Sequence, residues 1–373
     1  MKPYDYIFHI VDDIVDQAFA YDHTSLAFTN DLRFDHITFQ QREKEKWHRD
    51  LPFSFIIHNH RRYADNKHIY DNSSWKESKK YKSFKGKLTN KFHFIQHHWE
   101  PVDYNLDKIF WDKVLETYNK HKIKPFLLHS EHNNQDITIL NNKGVKDIHW
   151  FAHAYLCSEF YFKHYQKLKM VTDYKARSIQ HRWLCTNRLI RKHRTDFLEM
   201  LNLDRGCYSL LNPDPNGIIY QGPVAAKSFD VHENHSAEIK INDLTPWNTS
   251  FLHVVSETVW QEKIHFTEKV FKPVVLHQPF VVLQAPGSLA YLRSYGFKTF
   301  DKWWDESYDT IEDPAERMQA IADIVNSIGA KSLEELETMR MEMASVLEHN
   351  FRHFYENIPA ICLDELRKGI ANL

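Results

Sequence analysis

Short apolar runs recur through the first half of the chain: Tyr6–Ile10, Phe53–Ile57, Phe92–Ile95, Pro125–Leu128 and Ile148–Phe151. Runs of this length, rich in aromatic and branched residues, predict buried strands. Segments with helical spacing, such as 107–120, separate some of them. An aromatic-rich helix is predicted over 151–170, followed by a linker near 171–179.

The pattern then repeats. Strands are predicted at Trp183–Thr186, Cys207–Leu210, Phe251–Val255 and Phe280–Leu283, with a helix over Thr195–Leu201. Beyond them the chain turns helical: Ser288–Tyr295, Pro314–Ile328, Ser332–Phe354 and a last helix from Pro359. Ser332 followed by Glu335 has the spacing of a capping box. Strand alternating with helix implies an α/β fold with open, mostly parallel sheets. The expected organisation is a Rossmann-like domain over 1–175 and a second over 176–350, facing each other across a cleft. A terminal segment, 351–373, is expected to pack back on the first domain.

Composition narrows this picture. With 373 residues and 42% hydrophobic content, two ordinary cores can form. Glycine is scarce, at 9 residues, and neither GxGxxG nor GxxxxGK[ST] occurs. A nucleotide must therefore be held by side chains and helix ends. The formal charge of -2 gives no whole-protein field for a polyanion. Locally, 61–91 differs: ten Lys and Arg stand against three acids, with Tyr63, Tyr70, Trp75, Tyr81 and Phe84 between them. Such an interleaved stretch is either a solvated loop or an arm for double-stranded DNA. Cys157, Cys185, Cys207 and Cys362 show no CxxC spacing and read as reduced thiols. No signal-peptide core and no run near the ~20 apolar residues of a membrane span is present, so a soluble cytoplasmic protein without a membrane partner is expected.

The most informative stretch is His265–Pro273. Thr267 is placed to cap a helix, with Glu268 and Lys269 in its first turn. A cation is unfavourable there unless an anion shares it, and a phosphate or diphosphate is the usual anion. Two further segments end predicted strands: Thr186-Asn187-Arg188 through Arg194, and Ser256-Glu257-Thr258. Ligands of open α/β sheets bind at that edge. Asn187, Arg188, Arg194, Ser256, Glu257, Thr267, Glu268 and Lys269 thus form a candidate nucleoside-diphosphate site. Cations would meet the phosphates, and a carboxylate would accept from ribose hydroxyls.

Phe251 through Thr258, then Phe266-Thr267-Glu268-Lys269, resembles the donor-site signature of α-1,3-fucosyltransferases, which are GT-B glycosyltransferases. Leu184-Cys185-Thr186-Asn187 with Arg194 is similar to that family's strand, Asn and downstream Arg. The resemblance covers roughly 180–310. It implies a GT-B-like fold, with Lys269 and Arg194 on the donor diphosphate and Glu268 on the ribose. Ser256-Glu257-Thr258 departs from the family's Glu-Asn order. The block from Gly287 to Asp309 looks like glycosyltransferase-like proteins of bacteriophages and bacteria. By the same resemblance a Glu in an N-terminal loop is the general base, which falls on Glu131. Asp147 is the reserve, and Asp12 and Asp13 are a third option. His58/His60, His97/His98, His129/His132 and His149/His153 are histidine pairs without an HExxH motif, and no metal or other cofactor is expected.

The function expected is transfer of a sugar from a nucleotide-sugar donor to a hydroxyl, inverting and metal-independent. One acceptor is a hydroxylated pyrimidine in phage DNA, flipped into the cleft and contacted by 61–91. The alternatives are a glycan-directed, fucosyltransferase-like enzyme and a non-catalytic nucleotide- or DNA-binding protein on a transferase scaffold.

Overall fold

The computed structural model describes residues 53–58, 92–97, 102–104, 108, 111–112, 115, 119, 124–161, 165, 173–187, 190–210, 222–224 and 244–372. The strand expected at Tyr6–Ile10, Asp12, Asp13, the basic stretch 61–91 and Arg188 lie outside these residues. The chain divides into two compact units: residues 1–152 with 362–373, and residues 153–361.

In the first unit, β1 (Phe53–His58), β2 (Phe92–His97), β3 (Lys124–His129) and β4 (Lys146–His149) form a parallel sheet in that order. Helix α1 (Gln135–Asn142) connects β3 to β4 and is capped by Asn134, whose side chain accepts from Asp136 N at 2.9 Å. Its buried residues Ile137 and Leu140 join Val102, Trp111, Leu127 and Val145 in one core cluster. Strand β4 starts and ends two residues before the apolar run that predicts it. Trp150 and Phe151 are fully buried but follow the strand, with Trp150 N donating to His129 O at 2.7 Å.

In the second unit, β5 (His181–Asn187), β6 (Gly206–Leu210), β7 (Ser250–Ser256) and β8 (Phe280–Leu283) form a parallel sheet in the order β6-β5-β7-β8. All of β7 and β8 is buried. Near-continuous apolar strands are what a parallel sheet covered on both faces requires. Full burial of a Leu, Val or Phe contributes about 1.5–3 kcal/mol. Leu184, Leu252, Val254, Val281 and Leu283 are all at 0% exposure, so this sheet anchors the unit. Gly206 opens β6 against the Trp183 ring, where a Cβ would meet Trp183 Cε2 at 2.1 Å.

The described helices of the second unit are α2 (Ala152–Tyr161, from His153 on), α3 (Lys192–Glu199), α4 (Thr245–Asn248), α5 (Glu268–Val275), α6 (Ser288–Ser294), α7 (Pro314–Ala330), α8 (Leu333–Glu342) and α9 (Ala344–Glu356). The helix expected over 332–354 is two helices, broken at the buried Met343. The capping box at Ser332 and Glu335 is present, with both reciprocal hydrogen bonds formed. From Cys362 on, the last helix, α10 (Ile358–Ala371), belongs to the first unit. There Gly369 meets Ile148 so closely that a Cβ would lie 2.2 Å from Ile148 Cγ2. Among the described residues no helix is long and apolar enough to cross a membrane.

The strand order of the second sheet has a consequence for binding. From β5 the chain passes to β6 on one side, whereas β7 lies on the other, so the direction of winding reverses between β5 and β7. The crevice outside the carboxyl ends of two such strands is the usual ligand position in open α/β sheets.

Candidate functional site

Strand β7 ends at Ser256, and the next residue, Glu257, is fully buried. Its two carboxylate oxygens accept from Thr267 N at 3.0 Å and from Thr267 Oγ1 at 2.7 Å. This pair fastens the start of α5 to the end of β7. Thr267 is the N-cap, and its hydroxyl oxygen accepts from Lys269 N at 3.5 Å and from Lys269 Nζ at 3.0 Å.

The Lys269 ammonium also donates to Glu268 Oε1 at 2.9 Å and lies 4.0 Å from Glu257 Oε2. One cation thus serves two carboxylates at a helix N-terminus, with only 14% of its side chain exposed. Burial raises the Glu257 carboxyl above its ordinary range, against the pull of Lys269. For Glu268 burial acts the same way, but Lys269 and the hydrogen bonds outweigh it and hold the carboxyl well below that range. The two acids therefore differ in kind: Glu257 is a buried latch, and Glu268 is the ionised partner of the lysine.

Arg194 and Asn187 complete this edge. Helix α3 starts at Lys192, three residues before the predicted start, because its cap residue, Arg191, makes no side-chain cap bond that a sequence pattern could announce. Arg194 is 3% exposed, and its Nη2 donates to Ser256 O at 3.2 Å and Glu257 O at 3.4 Å. It ties α3 to the end of β7. Cys185 pairs with Val254, and Asn187 and Ser256 each lie two residues further along their strands. Asn187 Nδ2 donates to Cys185 Sγ, whereas its Oδ1 and the Ser256 hydroxyl are buried with no hydrogen-bond partner. Buried polar atoms in that state cost free energy unless a ligand or water meets them.

Three residues that sequence reasoning missed line the same region. His193 Nε2 lies 3.2 Å from Glu257 O, and its ring stacks on Trp260. The Arg317 guanidinium covers Trp260 at 4.4 Å and donates to the carbonyls of Trp260, Gln284, Ile311 and Glu312. Arg317 was detectable: with Ile321 and Val325 it falls on the buried i, i+4, i+8 stripe of α7. His193 and Trp260 carried no such signal. The block from 287 to 309 also gains a role. Asp309 accepts from Leu289 N at 2.8 Å, Ala290 N at 2.9 Å and Ser288 Oγ at 3.2 Å, so it fills the N-terminus of α6.

The base candidates lie in the first unit. Glu131 is 2% exposed, and its Oε2 accepts from Val102 N at 3.1 Å and Asn134 Nδ2 at 2.7 Å. That carboxylate fixes the loop after β3 to the segment at 102. Asp147, in β4, accepts from Asn141 Nδ2 at 2.7 Å and lies 3.2 Å from His129 Nε2. The bond to His129 draws its carboxyl below the usual range, against the effect of burial. Among the described residues no group of three or more His, Cys, Asp and Glu forms a metal-holding set. Comparison with family models, curated proteins and solved structures finds no match to this chain.

Proposed function

We propose that this protein is a glycosyltransferase that binds a nucleotide-sugar donor at the start of α5 and transfers the sugar to a hydroxyl. The observation that carries the reading is Lys269. Its ammonium is held at a helix N-terminus, beside the point where the strand order reverses, by Thr267 and Glu268. The buried Asn187 Oδ1 and Ser256 hydroxyl at the carboxyl ends of β5 and β7 support the same reading.

In the reaction, the acceptor oxygen bonds to the anomeric carbon and its proton passes to solvent. The bond from that carbon to the diphosphate oxygen breaks, and its electron pair leaves with the diphosphate. Lys269 and the α5 N-terminus neutralise the charge that develops there. Glu268, ionised, accepts from a ribose hydroxyl. Arg194 acts from behind, by holding the Ser256 and Glu257 carbonyls. Neutralisation by Lys269 and the α5 N-terminus is the basis for a scheme without a metal, and inversion follows the fucosyltransferase resemblance. A hydroxylated pyrimidine of DNA is the proposed acceptor, on the strength of the basic and aromatic composition of 61–91.

The test is slow hydrolysis of UDP-, GDP-, CDP-, dTDP- and ADP-sugars, with Lys269→Ala as control. Turnover of one donor that the control loses supports the transferase. No turnover and no thermal shift with any nucleotide overturns it. For the acceptor, affinity for duplex DNA should fall with salt and with neutralisation of the lysines in 61–91. Binding indifferent to both removes DNA.

A further inference from the structure

The diphosphate and ribose of the proposed donor have partners in Lys269 and Glu268, but its base has none. His193, in the first turn of α3, is a half-buried group whose ring is only partly used. Its Nε2 lies 3.2 Å from Glu257 O, and its ring stacks on Trp260 at 14°, with the centroids 6.3 Å apart. Trp260 is itself held in place: the Arg317 guanidinium covers its ring at 4.4 Å and donates to its carbonyl at 3.2 Å. One nitrogen and one face of the imidazole are thus fixed before any ligand arrives. That lowers the ordering cost of a contact made by the rest of the ring.

A carbonyl oxygen only accepts, so the contact with Glu257 puts the imidazole proton on Nε2 and the lone pair on Nδ1. Among the described residues nothing donates to Nδ1. Burial, with Arg194 beside it, lowers His193 to about 4, so the ring is neutral at pH 7. A neutral acceptor therefore stands in sequence among Arg191, Lys192 and Arg194. A lone pair repels a phosphate oxygen and calls for an N–H or O–H. Placement selects between these two. His193 meets the main-chain carbonyl of Glu257, whereas Lys269 Nζ lies 4.0 Å from the carboxylate of the same residue. Glu268 stays with Lys269, at 2.9 Å. The opposite ends of one glutamate thus separate His193 from the diphosphate cation, within the span of one nucleotide. The part of a nucleotide farthest from its diphosphate is the base.

We infer that His193 reads the base of the donor, its Nδ1 accepting from an N–H on the edge of that base. This assignment rests on the transferase reading, with the diphosphate at Lys269. His193 is a specificity-determining residue and touches no reacting atom. Its contribution is to affinity and to the choice of nucleotide.

The experiment titrates the full chain calorimetrically with UDP, GDP, CDP, dTDP and ADP, with ribose 5-diphosphate, which lacks a base, and with pyrophosphate. The variants are His193→Gln and Lys269→Ala. Glutamine keeps an N–H for Glu257 O at the Nε2 position and has no acceptor at the Nδ1 position. The wild type should bind one nucleotide more tightly than ribose 5-diphosphate. His193→Gln should bind that nucleotide about 3- to 10-fold more weakly, the effect of one neutral hydrogen bond. Its affinity for ribose 5-diphosphate and pyrophosphate should match the wild type. Lys269→Ala should weaken all three. An arm that needs no variant methylates the edge N–H of the preferred base, which should weaken wild-type binding at least as much as His193→Gln does. Equal loss for ribose 5-diphosphate in His193→Gln would give the ring to a hydroxyl and overturn the assignment. Unchanged nucleotide affinity in that variant, indifference to the methyl group, or a wild type that binds no better with a base than without also overturns it, while the Lys269→Ala effect stands. No binding of any ligand, or equal binding by Lys269→Ala, sinks the donor reading and the assignment with it.

Discussion

Two helices begin beyond the carboxyl ends of neighbouring strands in the second unit, and their first turns are filled in opposite ways. At α6 an internal carboxylate, Asp309, accepts from the amides of Leu289 and Ala290. Gly287, at φ +81°, turns the chain into that helix. At α5 the carboxylates bind the Thr267 cap and the Lys269 ammonium instead. A helix N-terminus attracts an anion in either case. Where the fold supplies the anion, the turn is closed architecture. Where the fold supplies a cation and acids to hold it, the turn is the one we propose receives an anion from outside. The same feature of secondary structure is thus a joint in one place and a proposed binding site in the other.

The largest expected effect separates the surroundings of α5 by acid. His153 and His193 are depressed to about 4, chiefly by burial, and both lie beside the α5 start; burial likewise lowers His277 to about 4 and His253 to about 3. The unfolded chain takes up protons near pH 6.5, and the folded chain does so only near 4 or below. Stability should therefore be fully present above about pH 6.5 and lost as pH falls toward 4. Each histidine contributes a slope of up to roughly 1.4 kcal/mol per pH unit across that window. Urea midpoints at a series of pH values check this, and a flat profile between 6.5 and 5 would contradict it.

Next in size is Asp309→Ala. It leaves the α6 amides and the Ser288 hydroxyl without their charged acceptor and should cost about 3 kcal/mol in denaturant unfolding. The affinity for nucleoside diphosphates should survive in the folded fraction. A loss of affinity greater than the loss of stability would erase the distinction between the two helix starts. Glu257→Gln should do less, about 1–2 kcal/mol, because the amide keeps one acceptor for Thr267 and loses the other. Its readout is the same unfolding curve, and a neutral result would mean that the Glu257 latch is not needed.

Much of the fold was legible. Strands β1, β2, β3, β6, β7 and β8 fall where the apolar runs lie, and β7 and β8, buried throughout, show why a parallel sheet covered on both faces leaves such runs. The run at 148–151 misled by two residues, since Trp150 and Phe151 are buried in a loop rather than in the strand. Met343 breaks a helix without Gly or Pro to signal it. At the candidate site, the Thr267 cap and the first-turn position of Lys269 could be read from spacing. Strand order could not, and with it the reversal between β5 and β7. Nor could the latch between Glu257 and Thr267, the clamp by Asp309 or the seat of His193 on Trp260, because each joins segments whose proximity only the folded chain creates.

The central claim is that the α5 start takes a diphosphate through Lys269. Calorimetric titration of UDP, GDP, CDP, dTDP and ADP into the wild type and Lys269→Ala tests it most directly. One nucleotide should bind the wild type. The variant should bind it about 10- to 100-fold more weakly, the effect of removing one charged hydrogen bond, read in the folded fraction because Glu268 also loses its cation and stability falls. Equal affinity in the two proteins, or none for any nucleotide in the wild type, would contradict the account.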